Sequence, residues 1–316
     1  MFHFLVELAD GEKKTRQKMT ALLGLNDHQL SQYIQALREL GIKIQTNGDD
    51  IQLQPELALL SAQKINQGIA PYQVVVKPVI HSTNQYLLEQ IEQLKQGDLC
   101  LAEYQFAGRG RRGRQWLSPF AGQIILSAYW TLPPHISLNG LSLVVGLAIA
   151  ETLQSFGAEG IGLKWPNDVL LNGRKLAGVL VEIANHKNGL LNLIIGIGIN
   201  LSLPKQASID QPWAELKEIV PHFDRDEIII ALVNRLYHYL AQFEQQGMAS
   251  FYQRWTEWDA FFGKPVSMIS EKETLDGIER GIERGIDREG HLLLETARGV
   301  IKFNGGEVSL RQRSQK

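Results

Sequence analysis

The sequence predicts an α+β protein in three parts, residues 1–62, 63–259 and 260–316. Three observations carry that expectation. The first part has apolar residues at helical spacing and then one alternating hairpin. The middle part has more strand-like runs than helices, several of them in succession. The last part is short strands broken by glycine. At 316 residues and 44% hydrophobic content, the chain can bury a sizeable core.

In the first part, TRQKMTALLGL reads as a short helix. Asn26 opens a longer one: Gln29 stands three residues on, Leu30, Tyr33, Ile34, Leu37 and Leu40 recur at helical spacing, and Gly41 terminates it. IKIQTNGDDIQLQ then alternates apolar and polar residues about Asn47-Gly48, which predicts a hairpin. Helix, turn, helix and wing is the layout of a winged helix-turn-helix DNA reader. Gln29, Gln32, Gln35 and Arg38, with Asn26, are its candidate DNA-binding side chains. Charge pulls the other way. Residues 1–60 hold six Lys or Arg against eight Asp or Glu, and the wing tip is Gly48-Asp49-Asp50, whereas DNA affinity rests on neutralised phosphates. A small helical unit for protein contacts is the alternative.

The middle part begins with VVVKPVI, a strand, and STNQYLLEQIEQLKQG, a helix with Leu87, Leu88, Ile91 and Leu94 inward and Gly97 at its end. DLCLAEYQ and QIILSAYW are strands, LSLVVGLAIAETLQSFG a buried helix, and GLKWP, KLAGVLVEIA and LLNLIIGIGIN three more strands. Helices over 226–247 and 248–258 close this part, giving a mixed sheet with helices on one side. LLNLIIGIGIN is apolar enough to pair edge to edge with a second copy. KPVSMIS, HLLLET and GVIKFNGGEVSLR then build a small β-barrel. Within it, residues 277–288 repeat G-I-x-R three times. A glycine in every turn would weaken a helix by about 1 kcal/mol each, so the tract reads as an extended hairpin, a loop insertion of no assigned function.

Composition narrows the function. Lys plus Arg is 32 and Asp plus Glu 34, so the chain is not coated in basic charge for general DNA or membrane attachment. The single cysteine, Cys100, lies in an apolar run; it excludes a disulfide framework or thiolate metal cage and fits a reducing cytoplasm. No secretion signal and no membrane span are expected.

Against this near-neutral background, Gly108–Trp116, GRGRRGRQW, concentrates four arginines. It matches G-x-G-x-x-G, but a Pro-interrupted loop and a strand follow where a dinucleotide site needs a helix, and no P-loop exists. The glycines let backbone N–H groups turn inward, and the guanidiniums cannot lose their protons. The loop is expected to stay loose until a polyanion orders it, with Trp116 as a flat surface for a base. A single-strand nucleic-acid patch is the competing reading. His81-Ser82-Thr83-Asn84 brings hydroxyls and N–H groups to one point where a strand enters a helix; capping alone explains one of the hydroxyls. KWPNDVLLNGRKLAG adds Asn167, Asp168 and, entering an apolar strand, Lys175.

Taken in order, HSTN, GRGRRGRQW, KWPNDVLL, RKLAGVLVE and GIGIN resemble the motifs of biotin-protein ligases. The whole chain resembles the bacterial bifunctional (BirA) type, which joins ligase activity to repression of the biotin operon. The acidic first part and the G-I-x-R tract depart from it. The resemblance implies a winged helix-turn-helix, a ligase domain and an SH3-like barrel. It implies ATP, Mg2+ and biotin, formation of biotinyl-5'-AMP, and transfer to a lysine of the biotin carboxyl carrier protein of acetyl-CoA carboxylase. It also implies a cytoplasmic homodimer promoted by the adenylate, and operator DNA as a partner. By this likeness Arg109, Arg111 and Lys175 are catalytic; Ser82, Thr83, Asn84, Gln105, Gly110, Gly178 and Gly196 join them in holding biotin. Trp116, Asn167, Asn200 and Arg311 hold the nucleotide, and Asp168 is a candidate magnesium ligand. The competing functions are a lipoate-type acyl-adenylate ligase and a DNA-binding regulator without ligase activity.

Overall fold

A computed structural model describes residues 2–39, 42–54, 56–187, 189–203, 212–270, 278–305 and 308–312. The first part is three helices, α1 (Phe2–Leu8), α2 (Arg16–Leu23) and α3 (Asp27–Glu39), with a sheet of β1 (Lys14–Thr15), β2 (Ile44–Asn47) and β3 (Asp50–Leu53) in the order β1-β3-β2. The start of α3 is fixed as its sequence implies. Asn26 Oδ1 accepts from the Gln29 N–H at 2.9 Å, and Gln29 Oε1 accepts from the Asn26 N–H at 3.0 Å, a reciprocal capping box. Leu30, Ile34 and Leu37 are buried against Phe4, Met19 and Ile51. Leu40 and Gly41, the expected end of this helix, lie outside the described residues. Gly48 takes φ 59° at the tip of the β2–β3 hairpin, as the Asn-Gly pair requires.

The central part comprises α4 (Ala62–Ile69), β4 (Val74–Lys77), α5 (Thr83–Glu89), β5 (Leu99–Ala102), β6 (Gln123–Leu132), α6 (Leu141–Ser155), β7 (Ile161–Lys164), β8 (Asp168–Leu171), β9 (Arg174–Lys187), β10 (Leu190–Asn200), α7 (Arg225–Gln246) and α8 (Tyr252–Glu257). Its strands form one seven-stranded mixed sheet, β4-β5-β6-β10-β9-β8-β7, in which only β4 and β5 run parallel. Among the described residues, no helix is long and apolar enough to cross a membrane.

Four expectations for this part are corrected. The helices do not share one side: α4, α6 and α7 join the main core, whereas Leu87 of α5 packs on Cys100, Tyr129 and Ile194 of the opposite face. Strands alternate their side chains, so one sheet presents apolar residues both ways here. The helix of residues 83–97 stops at Glu89; turns such as Gln93 N–H to the Gln90 carbonyl, 2.8 Å, carry Ile91 and Leu94 against the same small core. DVLL forms a separate strand, β8. Finally, β10 is no edge: β6 and β9 hydrogen-bond it on both flanks, leaving no ladder to offer a second copy.

The C-terminal sheet contains β11 (Pro265–Ser270), β12 (Ile278–Ile286), β13 (Leu292–Thr296), β14 (Gly299–Phe303) and β15 (Val308–Gln312), antiparallel, in the order β14-β13-β12-β11-β15. The G-I-x-R tract is extended, but as the middle strand β12 rather than an inserted loop; Gly277 lies outside the described residues. Its glycines have work there. A Cβ on Gly281 would stand 2.2 Å from the Glu295 carbonyl, and Gly285 takes φ 80° at the irregularity between Glu283 and Ile286.

Candidate active site

The alternation of β10 builds the floor of a cleft. Leu193, Ile195, Ile197 and Ile199 enter the main core, so Ile194, Gly196, Gly198 and Asn200 face the other way. In register, Gly196 lies between Ser127 of β6 and Leu180 of β9, and Gly198 between Ile125 and Gly178. Three glycines and a serine thus leave the sheet bare beside α5, and a cleft opens over them. The bareness is required. A Cβ on Gly198 would stand 2.5 Å from the Trp116 indole, one on Gly178 3.2 Å from both Trp116 and Lys175, and one on Gly196 2.4 Å from Asn84 Oδ1.

At one end lie the cations. The arginine loop makes a single 3-10 turn, Arg111–Gly113, in which Arg112 (φ 59°) and Gly113 (φ 68°) fold the chain back until the Gly110 N–H meets the Arg114 carbonyl at 2.7 Å. In this conformation the loop is tied to its surroundings at Arg109 and Arg111. Its guanidiniums disperse to separate acceptors, which relieves their repulsion: Arg109 to Glu182 at 3.1 Å, and Arg111 to Asn167 Oδ1 at 3.0 Å and the Gly305 carbonyl at 2.6 Å. Burial lowers the Arg111 pKa and the Arg112 and Arg114 charges act in the same direction, with Asp168 opposing; the group still carries its charge at neutral pH. Lys175 sits with Nζ 2.7 Å from Asp168 Oδ1 and 5.4 Å from the Trp116 ring centroid. Burial would push the Asp168 carboxyl up, but Lys175 and Lys164 outweigh it and hold it below the ordinary value.

At the other end lies a neutral polar cluster. Ser82 caps α5, accepting the Gln85 N–H at 3.4 Å. Gln105 Oε1 accepts the Thr83 N–H at 2.8 Å, and the Ser127 hydroxyl lies 2.7 Å from Thr83 Oγ1 and 2.5 Å from Asn84 Oδ1. Ser82, Thr83, Asn84 and Gln105 are buried yet border the cleft, and Ser127 is buried behind them.

The cleft brings together Ser82, Thr83, Asn84, Gln105, Arg109, Gly110, Arg111, Trp116, Asn167, Lys175, Gly178 and Gly196, drawn from stretches scattered over more than a hundred positions. Asn200 is not in its lining. It stands behind Trp116, receiving Gln123 Nε2 at 2.7 Å while Gln123 Oε1 accepts the indole N–H at 3.2 Å. Asp168 stands behind Lys175. Arg311 is on β15 opposite Ser267, its side chain outside the described residues. Sequence reading missed Glu182, Ser127 and Gln123. For Glu182, even spacing from Gly178 on the same strand was the available signal; Ser127 and Gln123, on the glycine-free β6, offered none. The candidate DNA-reading residues are exposed on α3, but Gln29 is engaged in the capping box, and Arg38 donates to the Ile44 carbonyl and Thr46 Oγ1, pinning the hairpin.

Comparison with known proteins sets these features in a family. Residues 76–200 match the profile of the biotin/lipoate A/B protein ligase family, and residues 261–311 that of the biotin protein ligase C-terminal domain. The chain is 42% identical over 310 residues to the bifunctional ligase/repressor BirA of Escherichia coli, covering 96% of this chain and 95% of that protein. It is 34% identical to the biotin–[acetyl-CoA-carboxylase] ligase of Paracoccus denitrificans, over 72% of this chain and 96% of that protein. The biotin protein ligase of Aquifex aeolicus, solved with biotin and ATP, superposes with a TM-score of 0.67 at 30% identity, covering 76% of this chain and 99% of that one. The first profile ends at Asn200, on the strand whose glycines floor the cleft, and with a relative matched almost end to end, the chain belongs to the biotin/lipoate A/B protein ligase family.

Proposed function

We propose that the chain is an ATP-dependent biotin-protein ligase that makes biotinyl-5'-AMP and transfers biotin to a lysine of the biotin carboxyl carrier protein of acetyl-CoA carboxylase. One observation carries this reading: a single glycine-floored cleft has a neutral hydrogen-bonding end and a cationic end. A cyclic urea suits the first, and a carboxylate meeting a phosphate suits the second. In the first step the carboxylate oxygen of biotin attacks the α-phosphorus of ATP, the bond to the bridging oxygen breaks, and pyrophosphate departs. In the second, a carrier lysine amine attacks the anhydride carbonyl, and AMP leaves with the bonding pair while the amine loses a proton.

The first step brings an anion to a polyanion, so it needs charge neutralisation rather than a base. Arg109, Gly110 and Arg111 wrap the carboxylate and phosphate, and Lys175 stabilises charge developing at phosphorus. Asp168 holds that ammonium in place from beneath. Ser82, Thr83, Asn84 and Gln105 read the head group, above a floor kept open by Gly178 and Gly196. Trp116, Asn167 and Asn200 frame the adenine, and Arg311 of β15 is assigned to the nucleotide with them. Magnesium accompanies the nucleotide. Asp168 does not fit as its ligand, because it already carries Lys175 at 2.7 Å and Lys164 at 3.5 Å, and none of the described residues lining the cleft is acidic. No step is assigned to the metal.

The same reading makes the first part a winged helix-turn-helix and the last an SH3-like barrel. The order of elements and the two antiparallel sheets support it. Repression of the biotin operon is supported by the end-to-end match to relatives named ligase/repressor, against the smaller share matched by ligase-only relatives. The proposal includes action in the cytoplasm, which suits the buried Cys100 thiol, pushed up to about 12 by burial. It also includes a homodimer promoted by the adenylate; exposed Ile183, next to the Glu182 that holds Arg109, is a surface that could respond. Incubation with biotin, ATP and a carrier domain tests the central proposal. Pyrophosphate release and a biotinylated lysine are expected, and neither with lipoate. Salt-sensitive DNA binding without pyrophosphate would leave a regulator instead. Sedimentation with saturating biotinyl-5'-AMP tests the dimer, which a monomer would refute.

A further inference from the structure

We infer that Glu182 is a positioning residue that sets the direction of the hydrogen bonds by which the cleft reads its ligand's head group, an inference that rests on the biotin reading above. Glu182 is on β9, opposite Ile194 and two residues beyond Leu180, just outside the lining of the cleft. Its Oε2 accepts from Asn84 Nδ2 at 2.6 Å and from the Arg109 guanidinium at 3.1 Å.

A carboxylate beside a guanidinium has no proton to give. Asn84 must therefore turn its NH2 to Glu182, which turns its Oδ1 to Ser127. Ser127 is fully buried and has one hydroxyl hydrogen, which the 2.5 Å contact with Asn84 Oδ1 takes. The one Thr83 hydroxyl hydrogen can then serve either Ser127 at 2.7 Å or Gln105 Oε1 at 3.1 Å, and the shorter contact, inside the ordinary range for two hydroxyls, takes it. Thr83 Oγ1 is left 3.1 Å from Gln105 Oε1, which already accepts the Thr83 N–H, with no proton between the two oxygens. Two acceptors side by side at the cleft are a standing invitation to an N–H donor. Asn84 Oδ1 keeps a lone pair as well, pressed against the β10 backbone, where a Cβ on Gly196 would lie 2.4 Å away.

The relay thus presents lone pairs, and a cyclic urea has two N–H groups to fill them. Reversing Asn84 would reverse everything downstream: Ser127 would donate to Thr83, and the Thr83 hydroxyl hydrogen would fall to Gln105 Oε1, filling the pair of acceptors. The acceptor-only character of Glu182 forbids that reversal. Glutamine does not, because its amide can offer either oxygen or NH2 to Asn84.

The test measures binding of biotin and of an isosteric analogue with a ring oxygen in place of one ureido N–H, by wild type and Glu182→Gln. Both ligands carry the same carboxylate, so any change at Arg109 cancels in the ratio of affinities. A site built around N–H donors prefers biotin by on the order of a hundredfold or more. Glu182→Gln is expected to narrow that preference about tenfold. Ser127→Ala, which cuts the relay beyond Asn84, is expected to narrow it too. A preference that survives in both variants, including one where both affinities fall together, overturns the inference. Failure of the wild type to bind biotin would instead overturn the parent reading.

Discussion

The cleft on the central sheet and the exposed face of α3 carry the same kinds of side chain, amides and arginines, and use them in opposite ways. In the cleft the partners are remote: Asn84 meets Glu182 98 positions away, and Arg111 meets Asn167 at 56 and Gly305 at 194. On α3 they are neighbours: Gln29 with Asn26, Gln32 with His28, Gln35 with Glu39, and Arg38 with Thr46 eight positions on. A remote partnership exists only once the whole sheet has formed, so the geometry of the cleft depends on the tertiary fold. A local one on an exposed helix competes with water and is worth about 1 kcal/mol. The α3 amides can exchange their partners for a base edge at little cost, whereas the partners in the cleft are set by the packing of distant strands.

The largest test of this contrast is Lys175→Ala. It is expected to slow pyrophosphate release by roughly 10²–10³-fold, the usual effect of removing a donor aimed at developing charge, while biotin binding stays near its wild-type level. Biotin affinity collapsing with an unchanged single-turnover rate would contradict the assigned role. Next comes Arg111→Gly, which removes a charge-assisted contact worth roughly 1.5–3 kcal/mol, so the adenylate should escape about ten to a hundred times faster. Chasing retained adenylate with unlabelled ligand measures this directly. Arg38→Ala is the counterpart on α3. It frees the Ile44 carbonyl and should lower the stability of the first part by about 1 kcal/mol, leaving pyrophosphate release unchanged. A ligase defect as large as that of Arg111→Gly would show that the two regions are not independent.

The smallest effect lies outside both. Burial, and then the charge of Asp259, push the Glu283 carboxyl from 4.5 up to about 8. The folded protein therefore keeps a proton over a range in which the unfolded chain has lost it. Stability from this group is complete below about pH 4.5 and is lost as pH rises through about 8. Glu283→Gln should flatten the fall in melting temperature between about pH 4.5 and 8, and leave the cleft untouched.

What the sequence disclosed, it disclosed through local rules. The capping box of Asn26 and Gln29, the Asn47-Gly48 turn and the two-residue alternation of GIGIN each depend on neighbours within a few positions. Strand order does not. Nothing in LLNLIIGIGIN says that β6 and β9 flank it, because an apolar run suits an interior strand as well as a sticky edge. DGIERGIERGI resembles a loop insertion until β13 is close enough to need Gly281. The side of the sheet taken by α5 follows from Leu87 meeting Cys100, Tyr129 and Ile194, a contact between four separate stretches. In the cleft, the motif residues were legible because charge and glycine are unusual there. Glu182 was not, since one glutamate on a strand is ordinary until Asn84 and Arg109 arrive beside it.

The bond from Arg111 to the Gly305 carbonyl limits how far this protein can be cut down. Trp165 makes a second tie, its indole N–H donating to the Gly290 carbonyl at 3.1 Å. A fragment trimmed at residue 260 would lose both anchors at once, and with them the acceptor that steers the loop's central guanidinium. Anyone shrinking the molecule into a portable tag-writing module therefore has less freedom at its tail than the boundary between units invites.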